Sequence, residues 1–383
     1  MSANAHRTHT FSESVIRSMT RLANQHGAIN LAQGFPDFPM PETMKDAACA
    51  AIHGDINQYA TTWGAKKLRD AICGKYQRRY GMMVDPEREI TVTCGATEAA
   101  ASVFLALLNP GDEVLIFEPF YENYGPDAIL CDATPIFVPL VPPNWDFDAD
   151  LLERAITPKT RALVLNSPHN PTGHVFSRDE LTTIATICIK HDILVITDDP
   201  YEYIIYSGEH LPIATLPGMA ERTVTISSLS KTFSCTGWRL GYAIASPERT
   251  DAIRKVHDFL TVGAPAPLQD AAAIGYAFGD DYYSQLSKDY QERRDYLGPA
   301  LRQAGFHFAQ PDGAYYFFAN FSDLSKLEDV AFATWLTETV GIATVPGSSF
   351  YRPGGADAKR HTRFAFCKTM ATLQRAVERL AKL

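Results

Sequence analysis

The chain has 383 residues, 46% hydrophobic and 21% charged, with a formal net charge of −9. That length exceeds the roughly 250–300 residues at which a single core stops growing, so two domains are expected. The acidic balance argues against nucleic acid and against an anionic membrane as partner, and implies that any anion site concentrates positive charge locally.

Residues 1–10 contain no apolar h-region, so no signal peptide is expected. The longest apolar runs, such as residues 103–108, fall far short of the ~20 residues of a membrane span. The cysteines are scattered, odd in number and never spaced C-x-x-C, which reads as free thiols in a reducing cytoplasm. Neither their spacing nor that of the histidines suggests a metal site, and none is assigned.

In chain order, residues 90–93 read as a strand, followed by an alanine-rich helix from about 97 to 108. An Asn-Pro-Gly-Asp turn leads into a strand at 114–117. Residues 162–165 form another, ahead of an Asn/Pro/Gly loop. Ser177 and Glu180 have capping-box spacing, opening a helix that runs to about Lys190. Buried strands follow at 193–196 and 223–226. All are uniformly apolar rather than alternating, the pattern of a parallel sheet covered on both faces. The expected fold is α/β, with a large domain over 44–278 built on a mainly parallel, helix-covered sheet. From Gly279 the pattern changes to a long charged helix and strands at 315–318 and 362–365, with amphipathic helices between and after. Residues 279–383, completed by 1–43, therefore read as a smaller α+β domain.

The segment 227–241 carries the most chemistry. It sets Lys231 among hydroxyls beyond a buried strand, with Arg239 eight residues on. An amine there can condense with an aldehyde, while Ser228 and Arg239 hold a phosphate. Asp198 follows the strand at 193–196, where a carboxylate needs a cationic partner such as a pyridinium nitrogen. Tyr201 and Asn170 are placed to hydrogen-bond the phenolic oxygen of such a ring. His169 reads as a loop histidine held by its surroundings rather than a base. Ala96 and Thr97 open a helix after Gly95, where backbone N–H groups can approach a phosphate. Tyr121 stands at a strand end and can stack on a flat ring. Arg363, among aromatics in a strand, needs an anion partner if buried.

The set Asn-Pro-Thr-Gly at 170–173, Asp-x-x-Tyr at 198–201 and Ser-x-x-Lys at 228–231, with Arg239, resembles the class I/II aminotransferases of fold type I. These are pyridoxal-phosphate enzymes. Residues 31–38 and 57–59 resemble the branch containing kynurenine aminotransferase, glutamine transaminase K and methionine aminotransferase. The resemblance implies that Lys231 forms the internal aldimine and shuttles the proton between Cα and C4′. It implies that Asp198 pairs with the pyridine nitrogen, and that Asn170 and Tyr201 bind the 3′-oxygen. Ser228, Arg239 and the backbone of Ala96 and Thr97 would hold the phosphate, with Tyr121 covering the ring. Tyr59 would reach the phosphate of a neighbouring subunit, implying a homodimer with shared sites. Gly34, Asn170 and Arg363 would hold the substrate α-carboxylate.

Residues 259–269 lack the arginine that dicarboxylate-specific relatives use and the histidine of the kynurenine enzymes. Phe11, Phe35, Tyr59, Tyr121 and Phe350 then suggest a pocket for a large neutral or aromatic side chain. The expected activity is transfer of an amino group from a neutral or aromatic L-amino acid to a 2-oxo acid. The alternative is a carbon–sulfur β-lyase acting on cysteine conjugates, since both begin with loss of the α-proton. A regulatory domain that only senses the cofactor is disfavoured because the short N-terminal segment leaves no room for a DNA-binding module.

Overall fold

A computed structural model describes the protein over residues 5–11, 13–355 and 357–383. Helix α1 (Val15–His26) and the short β1 (Ile29–Asn30) open the chain, followed by α2 (Glu42–His53) and α3 (Lys66–Tyr80). Strand β2 (Ile90–Thr93) leads through α4 (Ala96–Leu107) to β3 (Glu113–Glu118), and α5 (Tyr124–Leu130) connects to β4 (Thr134–Pro139). Then come α6 (Ala149–Ala155), β5 (Thr160–Asn166), α7 (Arg178–Lys190), β6 (Leu194–Asp198), β7 (Thr223–Ser228) and β8 (Gly241–Ile244). These strands form a seven-stranded sheet in the order β2-β8-β7-β6-β5-β3-β4. Every neighbouring pair is parallel except the two that involve β8.

The uniform apolar runs have the expected cause. Leu115, Phe117, Leu163, Leu165 and Val195 pack into one cluster, with Leu181, Ile184 and Cys188 of α7. Their alternate neighbours Val114, Ile116, Ala162, Val164, Leu194 and Ile196 pack on the other face with Val103 and Phe104 of α4. Side chains of a strand point alternately to opposite faces, and here both faces are covered, so no polar position interrupts the run. Helix α7 begins as its sequence specifies: Ser177 accepts from the Glu180 backbone N–H at 3.3 Å, and Glu180 accepts from the Ser177 N–H at 2.7 Å. Two strands escape the sequence pattern. β4 is an edge strand with prolines at 135 and 139 and little burial, which weakens its signal. β8 follows β7 by a loop over 229–240 that forms no crossover α-helix, and it returns antiparallel.

Beyond β8 the chain forms α8 (Pro247–Thr261), α9 (Ala266–Gly275) and the long α10 (Asp280–Gln303). Strand β9 (Tyr316–Asn320), helix α11 (Asp329–Trp335), β10 (Ile342–Ala343), β11 (Val345–Pro346), β12 (His361–Ala365) and α12 (Met370–Leu380) complete it. The two strands expected in this region are joined by short partners: β11, β12 and β9 form an antiparallel sheet. β1 pairs in parallel with β10, so the N-terminal segment runs beside the C-terminal elements.

Candidate active site

In a parallel sheet the carboxyl ends of the strands share one edge, and ligands bind beyond it. The antiparallel β8 brings its first residue to that same edge, where Gly241 lies opposite Ser228 of β7 and Thr93 of β2. A cavity of about 310 Å³ opens there. Gly34, Ala96, Thr97, Tyr121, Asn170, Asp198, Tyr201, Ser228, Lys231, Arg239 and Arg363 all line it, from segments that the sequence spaces far apart.

Lys231 sits in the loop after β7, and its Nζ donates to the Gly34 carbonyl at 2.9 Å. That carbonyl also accepts from the Tyr315 hydroxyl at 2.8 Å. Desolvation pulls the pKa of the amine down to about 8, with Arg363 and Arg239 adding repulsion and Asp198 opposing it. An amine that is partly neutral near neutral pH is a nucleophile and a base. Beside it, α4 starts at Ala96 with no side chain capping its first turn. Arg239 crosses over this helix start, donating to Thr236 O at 3.1 Å and Cys94 O at 3.4 Å. A Cβ on Gly95 would collide with the Arg239 guanidinium, and Gly95 has φ +83°. The backbone conformation favours glycine, and a side chain there would push the guanidinium off the helix start. Open N–H groups, a helix dipole, the guanidinium and Ser228 make an anion cradle.

Asp198 ends β6 at the opposite side of the cavity. Its Oδ2 accepts from the Tyr124 hydroxyl at 2.7 Å, while Oδ1 is buried with no partner among the described residues. Burial pushes the carboxyl pKa up to about 6, opposed by the bond from Tyr124 and by Lys231, and reinforced by Asp199. Asp199 points the other way, accepting from Thr197 Oγ1 at 2.9 Å and lying 3.7 Å from His210. Strand alternation thus assigns one of two adjacent aspartates to the cavity and one to the core.

Arg363 of β12 is 1% exposed. Its Nη1 donates to Asn170 Oδ1 at 2.8 Å and its Nη2 to Ala32 O at 2.9 Å, while Nε is buried without a partner among the described residues. Asn170 is itself fixed, its backbone N–H donating to Asn166 Oδ1 at 2.7 Å. The guanidinium stacks 4.2 Å from the Tyr316 ring and 4.8 Å from that of Phe350. The Tyr201 and Tyr316 hydroxyls are 2.9 Å apart. A Cβ on Gly34 would collide with the Tyr316 hydroxyl.

Three expected residues are not brought to the cavity in this chain. Phe350 is 0% exposed and packs behind Arg363, so it supports the guanidinium instead of lining a substrate pocket. Phe11 is half-buried and Tyr59 is 86% exposed, and neither lines the cavity. Conversely, Tyr124, Asn166 and Tyr316 were not anticipated. Their aromatic or turn-former identities look like packing and loop chemistry, and only their partners give them a role. His169 is buried, with Nδ1 2.7 Å from Thr172 Oγ1 and its pKa pulled down to about 3 by burial. It stands outside the cavity.

The donor set fits pyridoxal phosphate. An unpartnered buried carboxylate oxygen suits a protonated ring nitrogen, and the cradle around Gly95 suits a phosphate that approaches the backbone closely. The comparisons agree. Residues 26–380 match the family described as aminotransferase class I and II. The chain is 42% identical over 387 residues to a probable N-succinyldiaminopimelate aminotransferase of Mycobacterium tuberculosis, covering 98% of both chains. It is 37% identical over 372 residues to the methionine aminotransferase of Escherichia coli, covering 96% of this chain and 95% of that one. With human kynurenine–oxoglutarate transaminase 1 it shares 36% over 397 residues, 94% of each. The solved N-succinyldiaminopimelate aminotransferase of M. tuberculosis superimposes with a TM-score of 0.96 over 99% of this chain and 100% of that one. A family match over residues 26–380, with relatives alike over nearly the whole chain, makes the chain a member of the class I and II aminotransferases, a pyridoxal-phosphate-dependent enzyme.

Proposed function

We propose that the enzyme moves the amino group of a neutral or aromatic L-amino acid to a 2-oxo acid. The observation that carries this is the shared cavity of Lys231, Asp198 and Arg363, in which Asp198 Oδ1 and Arg363 Nε keep free polar capacity. When bound, pyridoxal phosphate supplies an aldehyde for the amine and an electron-withdrawing ring that acidifies the substrate Cα–H. Asp198 Oδ1 would pair with the ring nitrogen and favour its protonated form. Asn170 and Tyr201 hold the ring's phenolic oxygen, and Tyr121 covers its face. Ser228, Arg239 and the N–H groups of Ala96 and Thr97 hold the phosphate. Gly34, Asn170 and Arg363 would hold the α-carboxylate, fixing the substrate so that the Lys231 amine could take up and return the proton of Cα.

The side-chain space is bordered by Ile16, Phe35 and Tyr121, which suits an apolar or aromatic group. Relatives named for methionine and kynurenine support that class, whereas N-succinyldiaminopimelate, for which another relative is named, is a compound with further carboxylates. We divide the chain into a cofactor domain at 44–278 and a small domain of 1–43 with 279–383. The 86% exposed Tyr59 and 92% exposed Phe259 support a homodimer in which Tyr59 reaches the partner's phosphate. Seven unpaired cysteines support a cytoplasmic location. The test is a half-reaction spectrum of the purified holoenzyme against a panel of amino acids. Methionine and phenylalanine are expected to convert the bound cofactor to its amine form. Strong conversion by aspartate with none by these two would overturn the assignment.

A further inference from the structure

Lys231, Arg239, Arg363 and Arg17 are the basic residues lining the cavity. The first three have duties toward the cofactor or the α-carboxylate. Arg17 has none, and among the described residues its side chain makes no hydrogen bond or salt bridge; only its backbone is engaged, the N–H donating to Ser14 O at 3.2 Å. The acids near it are engaged elsewhere. Glu13 pairs with Arg21 through two bonds of 2.7 and 2.9 Å, and Glu122 takes the Ser14 hydroxyl. An exposed arginine is ordinarily a solvated charge, but this one borders the cavity that already binds an amino acid.

Its position is also held. Arg17 lies on α1, whose Ile16, Met19 and Ala23 are buried in the same cluster as Phe350. Phe350 in turn packs against the Arg363 guanidinium. One continuous block of packed side chains therefore sets the separation between the bases of the two arginines, while the Arg17 head stays free to swing. Two guanidiniums bordering one cavity, one fixed and one free to swing, match a ligand with two carboxylates.

We propose that Arg17 is a specificity residue that binds the distal carboxylate of a dicarboxylic substrate, either the 2-oxo acid that accepts the amino group or its amino-acid counterpart. This rests on the aminotransferase reading above and extends it. An aminotransferase passes two substrates through one cavity in turn. With a neutral amino donor Arg17 remains in water, and with a dicarboxylic partner it closes over the second charge. The acid whose charge Arg17 feels, Glu13, is held by Arg21, so closing over a substrate breaks no salt bridge among the described residues.

The experiment measures the two half-reactions of the holoenzyme separately in wild type, Arg17→Gln and Arg17→Lys. Arg17→Gln is expected to raise the half-saturating concentration of 2-oxoglutarate about tenfold, the size of a lost exposed charge-assisted bond. Methionine and pyruvate, which have no second carboxylate, should change less than about twofold, and Arg17→Lys should recover part of the 2-oxoglutarate effect. Inert glutarate, read by its perturbation of the cofactor spectrum, should bind wild type more tightly than butyrate, and the gap should close in Arg17→Gln. An unchanged response to 2-oxoglutarate and glutarate, or equal weakening for every substrate, would overturn the proposal. If wild type shows no amino-acid-driven conversion at all, the aminotransferase reading falls, and the glutarate comparison still decides Arg17.

Discussion

The Tyr124 hydroxyl donates to Asp198 Oδ2 at 2.7 Å, so that one carboxylate oxygen is held by α5 while the other is left, buried and unpartnered, for the cavity. The bond both aims the carboxylate and favours its ionised form against burial.

Tyr124→Phe should therefore raise the Asp198 pKa beyond its present value of about 6. A protonated carboxyl cannot hold the proton of a ring nitrogen, so cofactor affinity near pH 7 should fall about tenfold. The defect should shrink as pH rises and the carboxylate re-forms. Cofactor titration of the variant between pH 6 and 9 checks this; a loss of equal size at every pH would show that Tyr124 acts only through packing.

Burial lowers Lys231 from 10.5 to about 8. The neutral amine is the nucleophile, and its fraction rises as pH passes the folded pKa. Covalent capture of pyridoxal phosphate by the apoprotein should accordingly accelerate through pH ~8 rather than ~10.5. Lys231→Ala should abolish both borohydride-trapped cofactor and turnover, and retained multiple turnover in that variant would defeat the mechanism.

Arg363→Ala should raise KM for amino acids about a hundredfold while leaving cofactor affinity within about twofold. Arg363→Lys should behave nearly as badly. The fork that reaches Asn170 and Ala32 at once needs two Nη atoms, which an ammonium lacks. Equal damage to cofactor and substrate binding would assign Arg363 a structural role.

Lys75 and Glu202 form an ion pair whose side chains are 1% and 3% exposed. Glu202 also accepts from Ser227 at 3.0 Å and from Tyr80 at 2.8 Å, beneath the β7 end that leads to Lys231. Lys75→Met leaves a buried carboxylate without its cation, a loss of about 3–5 kcal/mol. Adding Glu202→Gln should restore part of it. Urea unfolding midpoints of the single and double variants measure the difference.

Local pattern carried much of the fold. Strands β3, β5, β6 and β7 were legible because both faces of the sheet are covered, and α7 because Ser177 and Glu180 cap it within one turn. β4 and β8 were not, since an edge position and an antiparallel return leave weak local marks. At the site, Lys231, Asp198, Asn170 and Arg363 could be nominated because a charge or amide in or just beyond a buried strand needs a partner. Tyr124 and Tyr316 could not, because an aromatic in a sequence is explained by packing until its hydroxyl finds a specific acceptor. Phe350 illustrates the converse: its aromatic character suggested the cavity, whereas it lies behind Arg363.

By itself, the sequence determined the element types, the mainly parallel sheet and the kind of chemistry, because periodicity, capping and side-chain reactivity are properties of a few neighbouring residues. Only the tertiary structure decided which oxygen of Asp198 remains free, how Asp199 is satisfied away from the cavity, and that the Arg17 side chain stands there without a hydrogen-bond partner among the described residues. Those outcomes depend on packing between segments far apart in the chain, 74 residues in the case of Tyr124 and Asp198, and no local pattern encodes them.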